Sequence, residues 1–180
     1  MSKVTFLPRS GKDLFNFMER CLIDTKTATY WAIEEFTLID GKPLSVIDVA
    51  NLSDVAYLMI SSKIFPMNDT RVTEDNQGVH FDNICIKSKR IHRDFITELQ
   101  TNIQKYGKNQ TGLLKNCLIT FYEISIEELE KMPFQVAAYL INKVNFFLSE
   151  LATPKDELNI NDIWVNESGK LASGKLDNLV

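Results

Sequence analysis

The spacing of hydrophobic and polar positions is most regular in residues 133–151, PFQVAAYLINKVNFFLSEL. Ala137, Ile141, Val144, Leu148 and Leu151 recur there at steps of three and four, which lines them along one face of a helix. Tyr139 and Phe146 fall on a second face. A helix apolar on two sides is either enclosed by its own domain or offers one side to a partner. Pro133 suits the first helical turn and Thr153-Pro154 ends the segment. A second helix is predicted after Ser10, which with Asp13 forms a capping box ahead of Leu14, Phe17, Met18, Cys21 and Leu22. Further caps at Ser45 (with Asp48) and Ser53 precede Val55, Leu58, Met59, Ser62 and Phe65 at helical steps, giving two short helices or one kinked one before Pro66.

Between these helices the period changes. Residues 29–39, TYWAIEEFTLI, are rich in aromatic and β-branched side chains and run into Asp40-Gly41, which predicts a strand and a tight turn. Residues 79–87 read as a second strand, with Ile84 and Ile86 on one face and Val79, Phe81 and Cys85 on the other. Residues 68–78 are polar and read as a mobile loop. A helix is predicted over 89–106, with Ile91, Phe95, Leu99, Ile103 and Tyr106 along one stripe and Gly107 as its stop. Residues 113–124 fit both periods, and Ser125 caps a short helix leading to Pro133. The expected architecture is a helix-dominated α+β single domain over residues 1–165. A small sheet from 29–39 and 79–87 packs on the central apolar helix, and residues 166–180 form a flexible tail.

Composition narrows the chemistry. The chain has 180 residues, 44% hydrophobic and 24% charged, enough for one ordinary core. A net charge of −4 argues against a general polyanion binder, so nucleic-acid contact would have to be local. Cys21, Cys85 and Cys117 are odd in number, far apart and set among apolar neighbours, which reads as reduced core thiols in a cytoplasmic protein. The N-terminal residues lack the apolar run of a secretory signal. Gln135, Asn142, Lys143, Asn145 and Glu150 would be costly in hydrocarbon, which argues against a membrane span in 133–151.

Familiar catalytic and metal patterns are not met. Ser10-Gly11-Lys12 does not make a phosphate loop, because position 6 is Phe and position 13 is Asp. His80 and Cys85 are an odd number of residues apart in one predicted strand and so on opposite faces, and His92 stands alone, which predicts no metal site. No cofactor or catalytic residue is predicted. One charge feature stands out: Lys87, Lys89, Arg90 and Arg93 within seven residues of an acidic chain. Cations at a helix start oppose its dipole, so the cluster is a candidate contact for an acidic protein or a phosphate backbone. The predicted partner surface joins these four cations to Tyr139, Asn142 and Phe146.

The lead LPRSGK, the segment FTLIDGKPL and the helix VANLSDVAYLMISSKI, within about residues 5–65, resemble small tailed-bacteriophage proteins that serve baseplate-hub or tail assembly. That resemblance implies a non-catalytic structural subunit or assembly factor acting in the host cytoplasm or virion through contacts with other assembly proteins. It transfers no catalytic residue. Two other expectations stand beside it: a small cytosolic enzyme whose site is assembled by the fold, and a local nucleic-acid-binding module built on residues 87–93.

Overall fold

A computed structural model describes residues 2–66, 69–89, 94–106 and 109–152. In chain order it begins β1 (Val4–Phe6), α1 (Gly11–Ile23), α2 (Thr25–Phe36), β2 (Thr37–Ile39), β3 (Lys42–Pro43), α3 (Val46–Ala50) and α4 (Asp54–Ile64). It continues β4 (Thr73–Asp75), β5 (Gly78–Phe81), β6 (Ile84–Ile86), α5 (Phe95–Tyr106), α6 (Gln110–Phe121), α7 (Ile126–Lys131) and α8 (Phe134–Ala152). The described residues form a helix-dominated α+β structure, 61% of it helical, with two small antiparallel sheets. The contacts of the described residues group into two compact units: those within Met1–Thr70 with Glu127–Tyr139, and those within Arg71–Ile126 with residues 140–152.

In the first unit, local caps set most helix starts. Ser10 and Asp13 close the expected capping box on α1, and Ser45 and Asp48 do the same on α3. Ser53 accepts from the Ala56 amide to start α4. Asp24 ends α1 and begins α2, its carboxylate accepting from the amides of Lys26 and Thr27. That cap lies behind the main correction to the predicted fold: residues 29–36 are helical and only Thr37–Ile39 are extended. Ala28, Ala32, Ile33 and Phe36 are buried along one side of α2, so helical packing outweighs the β-preference of the Thr, Tyr and Trp around them. β2 pairs antiparallel with β1 and β3, and the β2–β3 turn is Asp40-Gly41 as expected, with positive φ at both residues.

The same unit joins its N-terminal segment to the chain before α8. The Gly11 amide donates to the Met132 carbonyl at 2.7 Å, and the Phe134 amide donates to the Arg9 carbonyl at 3.1 Å. The core includes Leu14, Phe15, Ile33, Ile64, Leu129 and Phe134.

The second unit corrects further expectations. Residues 79–87 are a hairpin and not one strand: Phe81 faces Ile84 across the loop 82–83, and His80 faces Cys85. His80 and Cys85 therefore lie on the same face, and Cys85 is exposed where a core thiol was expected. Val79, Phe81 and Ile86 form the buried face. Thr73–Asp75, inside the predicted loop, is the edge strand β4; all three of its residues are exposed, so no apolar alternation marks it in the sequence. The two predicted strand regions thus belong to separate sheets. Helix α5 begins at Phe95, later than expected, while residues 113–121, which fitted both periods, lie in α6. Ile141 and Val144, on the predicted face of α8, are buried, as is Leu140 beside them, and a 2.7 Å Lys143–Glu74 ion pair ties α8 to β4. The expected tail, 166–180, lies outside the described residues.

Three exposed carboxylates make stability depend on acid. The Thr27 hydroxyl, the Ser45 hydroxyl and the His80 ring are the largest causes holding Asp24, Asp48 and Asp75, respectively, below the ordinary carboxyl range. A lowered folded value means their contribution is present above the unfolded carboxyl value and is lost as pH falls through the folded one. Thermal melts from about pH 5 down to about pH 2 should show a falling Tm. Asp24→Asn, which keeps a capping oxygen but cannot ionise, should flatten part of that fall. An equal slope in the variant would exclude Asp24 as a contributor.

Candidate functional site

Helix α4 carries apolar side chains on two opposite faces. Its inner face packs through Ile60, Ile64 and the partly buried Tyr57 against α2, where the Tyr57 and Tyr30 rings meet edge-on at 5.6 Å. Phe65, just past the helix, stacks on Phe17 at 5.0 Å and meets Phe36 and Phe134 edge-on at 5.7 and 5.4 Å. Arg9 closes this end. Its guanidinium lies over the Phe134 ring at 4.5 Å and near Phe6 and Phe65 at 5.4 and 5.9 Å. From there Nη1 donates to the carbonyls of Lys63 and Ile64, the C-terminal end of α4, where a cation also suits the helix dipole. Burial pulls the guanidinium below its ordinary value, and Nε is buried without a partner.

The outer face is fixed by that packing yet left in water. Val55, Leu58 and Met59 stand at i, i+3 and i+4 and are 68%, 64% and 58% exposed, respectively. Val46 and Ile47 at the start of α3 are exposed too. Full burial of a Val, Leu or Met side chain is worth about 1.5–3 kcal/mol, so the α4 stripe forgoes roughly 3–6 kcal/mol by facing solvent. Single exposed apolar residues are ordinary, whereas a helical stripe of them is a mark of a contact surface.

The residues singled out in the sequence are distributed differently. Lys87 is exposed just after β6, and its carbonyl accepts from the Glu123 amide at 2.8 Å. Lys89 is tied to the end of α6: its amide donates to the Phe121 carbonyl at 2.8 Å and its ammonium to the Ile119 carbonyl. Arg90 and Arg93 lie outside the described residues. Phe146 is 52% exposed on α8 in the second unit, while Tyr139 is half-buried in the first. The periodicity that located α4 picked out its outward stripe. The packed stripe, Tyr57, Ile60 and Ile64, is legible at the same spacing, and two apolar stripes on one short helix are the signal that one of them faces outward.

Among the described residues no group of three or more His, Cys, Asp or Glu side chains is placed to hold a metal ion. No described helix is long and apolar enough to cross a membrane. No protein-family model, curated protein or solved structure matches this chain.

Proposed function

We propose that the protein is a non-catalytic binding protein, a structural subunit or assembly factor that works by seating the outer face of α4 on another protein. The observation that carries this reading is the exposed stripe Val55, Leu58 and Met59 on a helix whose inner side is locked by aromatic packing. A rigid apolar face loses little conformational freedom when covered, which favours its use as an anchor. The resemblance of residues 5–65 to baseplate-hub and tail-assembly proteins supports the same role, with a virion component as partner. The nucleic-acid alternative is weaker, because the Lys89 ammonium is engaged by the end of α6.

A photoreactive phenylalanine analogue at Met59, introduced in the native host, tests the reading. One discrete protein adduct is expected, and it should vanish when Val55 and Leu58 are both changed to Glu. Those exposed changes should each alter stability by about 0.5 kcal/mol or less in urea titrations. An adduct that persists in the charged variant, or no adduct in the unaltered background, would remove the α4 surface. A virion protein as the adduct supports the assembly role, and a metabolic enzyme would remove it.

A further inference from the structure

Between Asp54 and Lys63 helix α4 carries no charge. Ser62, exposed, falls on the same stripe as Val55, Leu58 and Met59, and Ser61 borders it. Their hydroxyls are already used: Ser61 donates to the Leu58 carbonyl at 3.1 Å and Ser62 to the Met59 carbonyl at 3.0 Å. Covering this face therefore strands neither hydroxyl. Helix α3 continues the apolar surface, because Ile47 is exposed on the side opposite the buried Val49 and Val46 is exposed beside it. Val49 and Ile60 share one core with Ala32 and Ile33 of α2, so α3 and α4 both turn their outer sides away from α2.

The order of residues along α4 is complementary to itself. Asp54 and Lys63 stand equally far from a point midway between Leu58 and Met59, and so do Val55 and Ser62. Two α4 helices laid antiparallel across a two-fold axis at that point bring Leu58 level with Met59 of the other copy. Val55 then comes level with the small Ser62, and the Asp54 end of each helix lies beside the Lys63 end of the other. The two charges leave the stripe on opposite flanks, so the attraction is between the ends of the helices and not a close ion pair. Antiparallel helix dipoles add to it. A parallel arrangement would set like charges together.

We infer that the occupant of the α4 face is a second copy of this chain, bound as a two-fold symmetric dimer through antiparallel α4 helices. The inference rests on the proposed binding role of that face and names its partner. The exposed parts of Val46, Ile47, Val55, Leu58 and Met59 offer roughly 200–400 Å² of apolar surface per copy. The apolar core of a standard interface needs about 500 Å² per side. The surface suits a dimer of the weak, concentration-dependent kind.

Sedimentation velocity on the full chain should show the mass doubling between about 1 and about 200 µM, with half-association at roughly 10–100 µM. Leu58→Glu, at the centre, should leave a monomer throughout. Asp54→Lys and Lys63→Glu should each weaken association about threefold to tenfold, because like charges then meet, whereas an equal mixture of the two should associate at least as well as the parent. A photoreactive phenylalanine analogue at Met59, in a mixture of isotope-labelled and unlabelled chain, should join one copy to α4 of the other. A monomer at about 200 µM, a dimer indifferent to Leu58→Glu, or a mixture no better than the single variants would overturn the inference. If the purified chain is monomeric while Met59 captures a different protein in the host, the second copy is excluded and the binding role stands; the absence of both dimer and adduct removes both.

Discussion

Replacing Phe134 with Ala should cost the protein about 3–5 kcal/mol, the range for emptying a packed aromatic site. Phe134 is 1% exposed and opens α8. Its ring meets Phe65 edge-on at 5.4 Å and forms the nearest wall for the Arg9 guanidinium at 4.5 Å. Truncation therefore leaves a cavity and strips the cation of its best aromatic contact. One effect runs the other way: water entering the cavity could reach the buried, unpartnered Arg9 Nε and recover part of the loss. The ring term dominates, because one added hydrogen bond is worth only about 1 kcal/mol net. Urea titration of Phe134→Ala, Arg9→Met and the double variant measures both terms. Losses that simply add would mean that ring and cation act independently, and a loss below about 1 kcal/mol would mean that the site is not packed as described.

The legible part of the fold was the part written in local chemistry. Ser10, Ser45 and Ser53 start helices because a hydroxyl oxygen is placed for an amide two or three residues on, and that relation is visible in any sequence. Asp40-Gly41 makes a turn for the same kind of reason, since both residues tolerate positive φ. The errors came where tertiary packing decides. Residues 29–36 have strand-like composition, but Ala28, Ala32, Ile33 and Phe36 are placed to bury one side of a helix that Asp24 starts. Residues 79–87 read as one strand because Asp82-Asn83 lacks glycine, although Asp82 takes positive φ all the same. That single missed turn placed His80 and Cys85 on opposite faces. That they share one face is a fact only the cross-strand register supplies.

The candidate surface divides along the same line. Val55, Leu58 and Met59 could be named from their spacing, but spacing alone does not say which of the two apolar stripes on α4 meets the core. The aromatic residues that decide it, Tyr30, Phe36 and Phe134, come from α2 and α8, far along the chain.

Gly11→Ala should destabilise the protein by about 3 kcal/mol, although helix propensity points the opposite way. Gly11 is the first residue of α1, and alanine in place of glycine within a helix ordinarily gains up to about 1 kcal/mol. A Cβ at this position, however, would press into the Leu129 carbonyl oxygen and lie 3.3 Å from the Ala137 Cβ. The first obstacle is backbone, which cannot turn aside as a side-chain tip can. The Gly11 amide is also bonded to the Met132 carbonyl, so moving α1 away would stretch that bond and disturb the Ser10–Asp13 capping box beside it. Gly41 supplies the contrast, since a Cβ there meets nothing within 4 Å and its φ of +77° is the whole objection. Gly41→Asn should accordingly be mild, because asparagine accepts that conformation, whereas no residue with a Cβ escapes the clash at Gly11. Urea midpoints of the two variants decide the matter: a Gly11→Ala protein as stable as the parent would show that α1 is not seated against the Leu129 carbonyl.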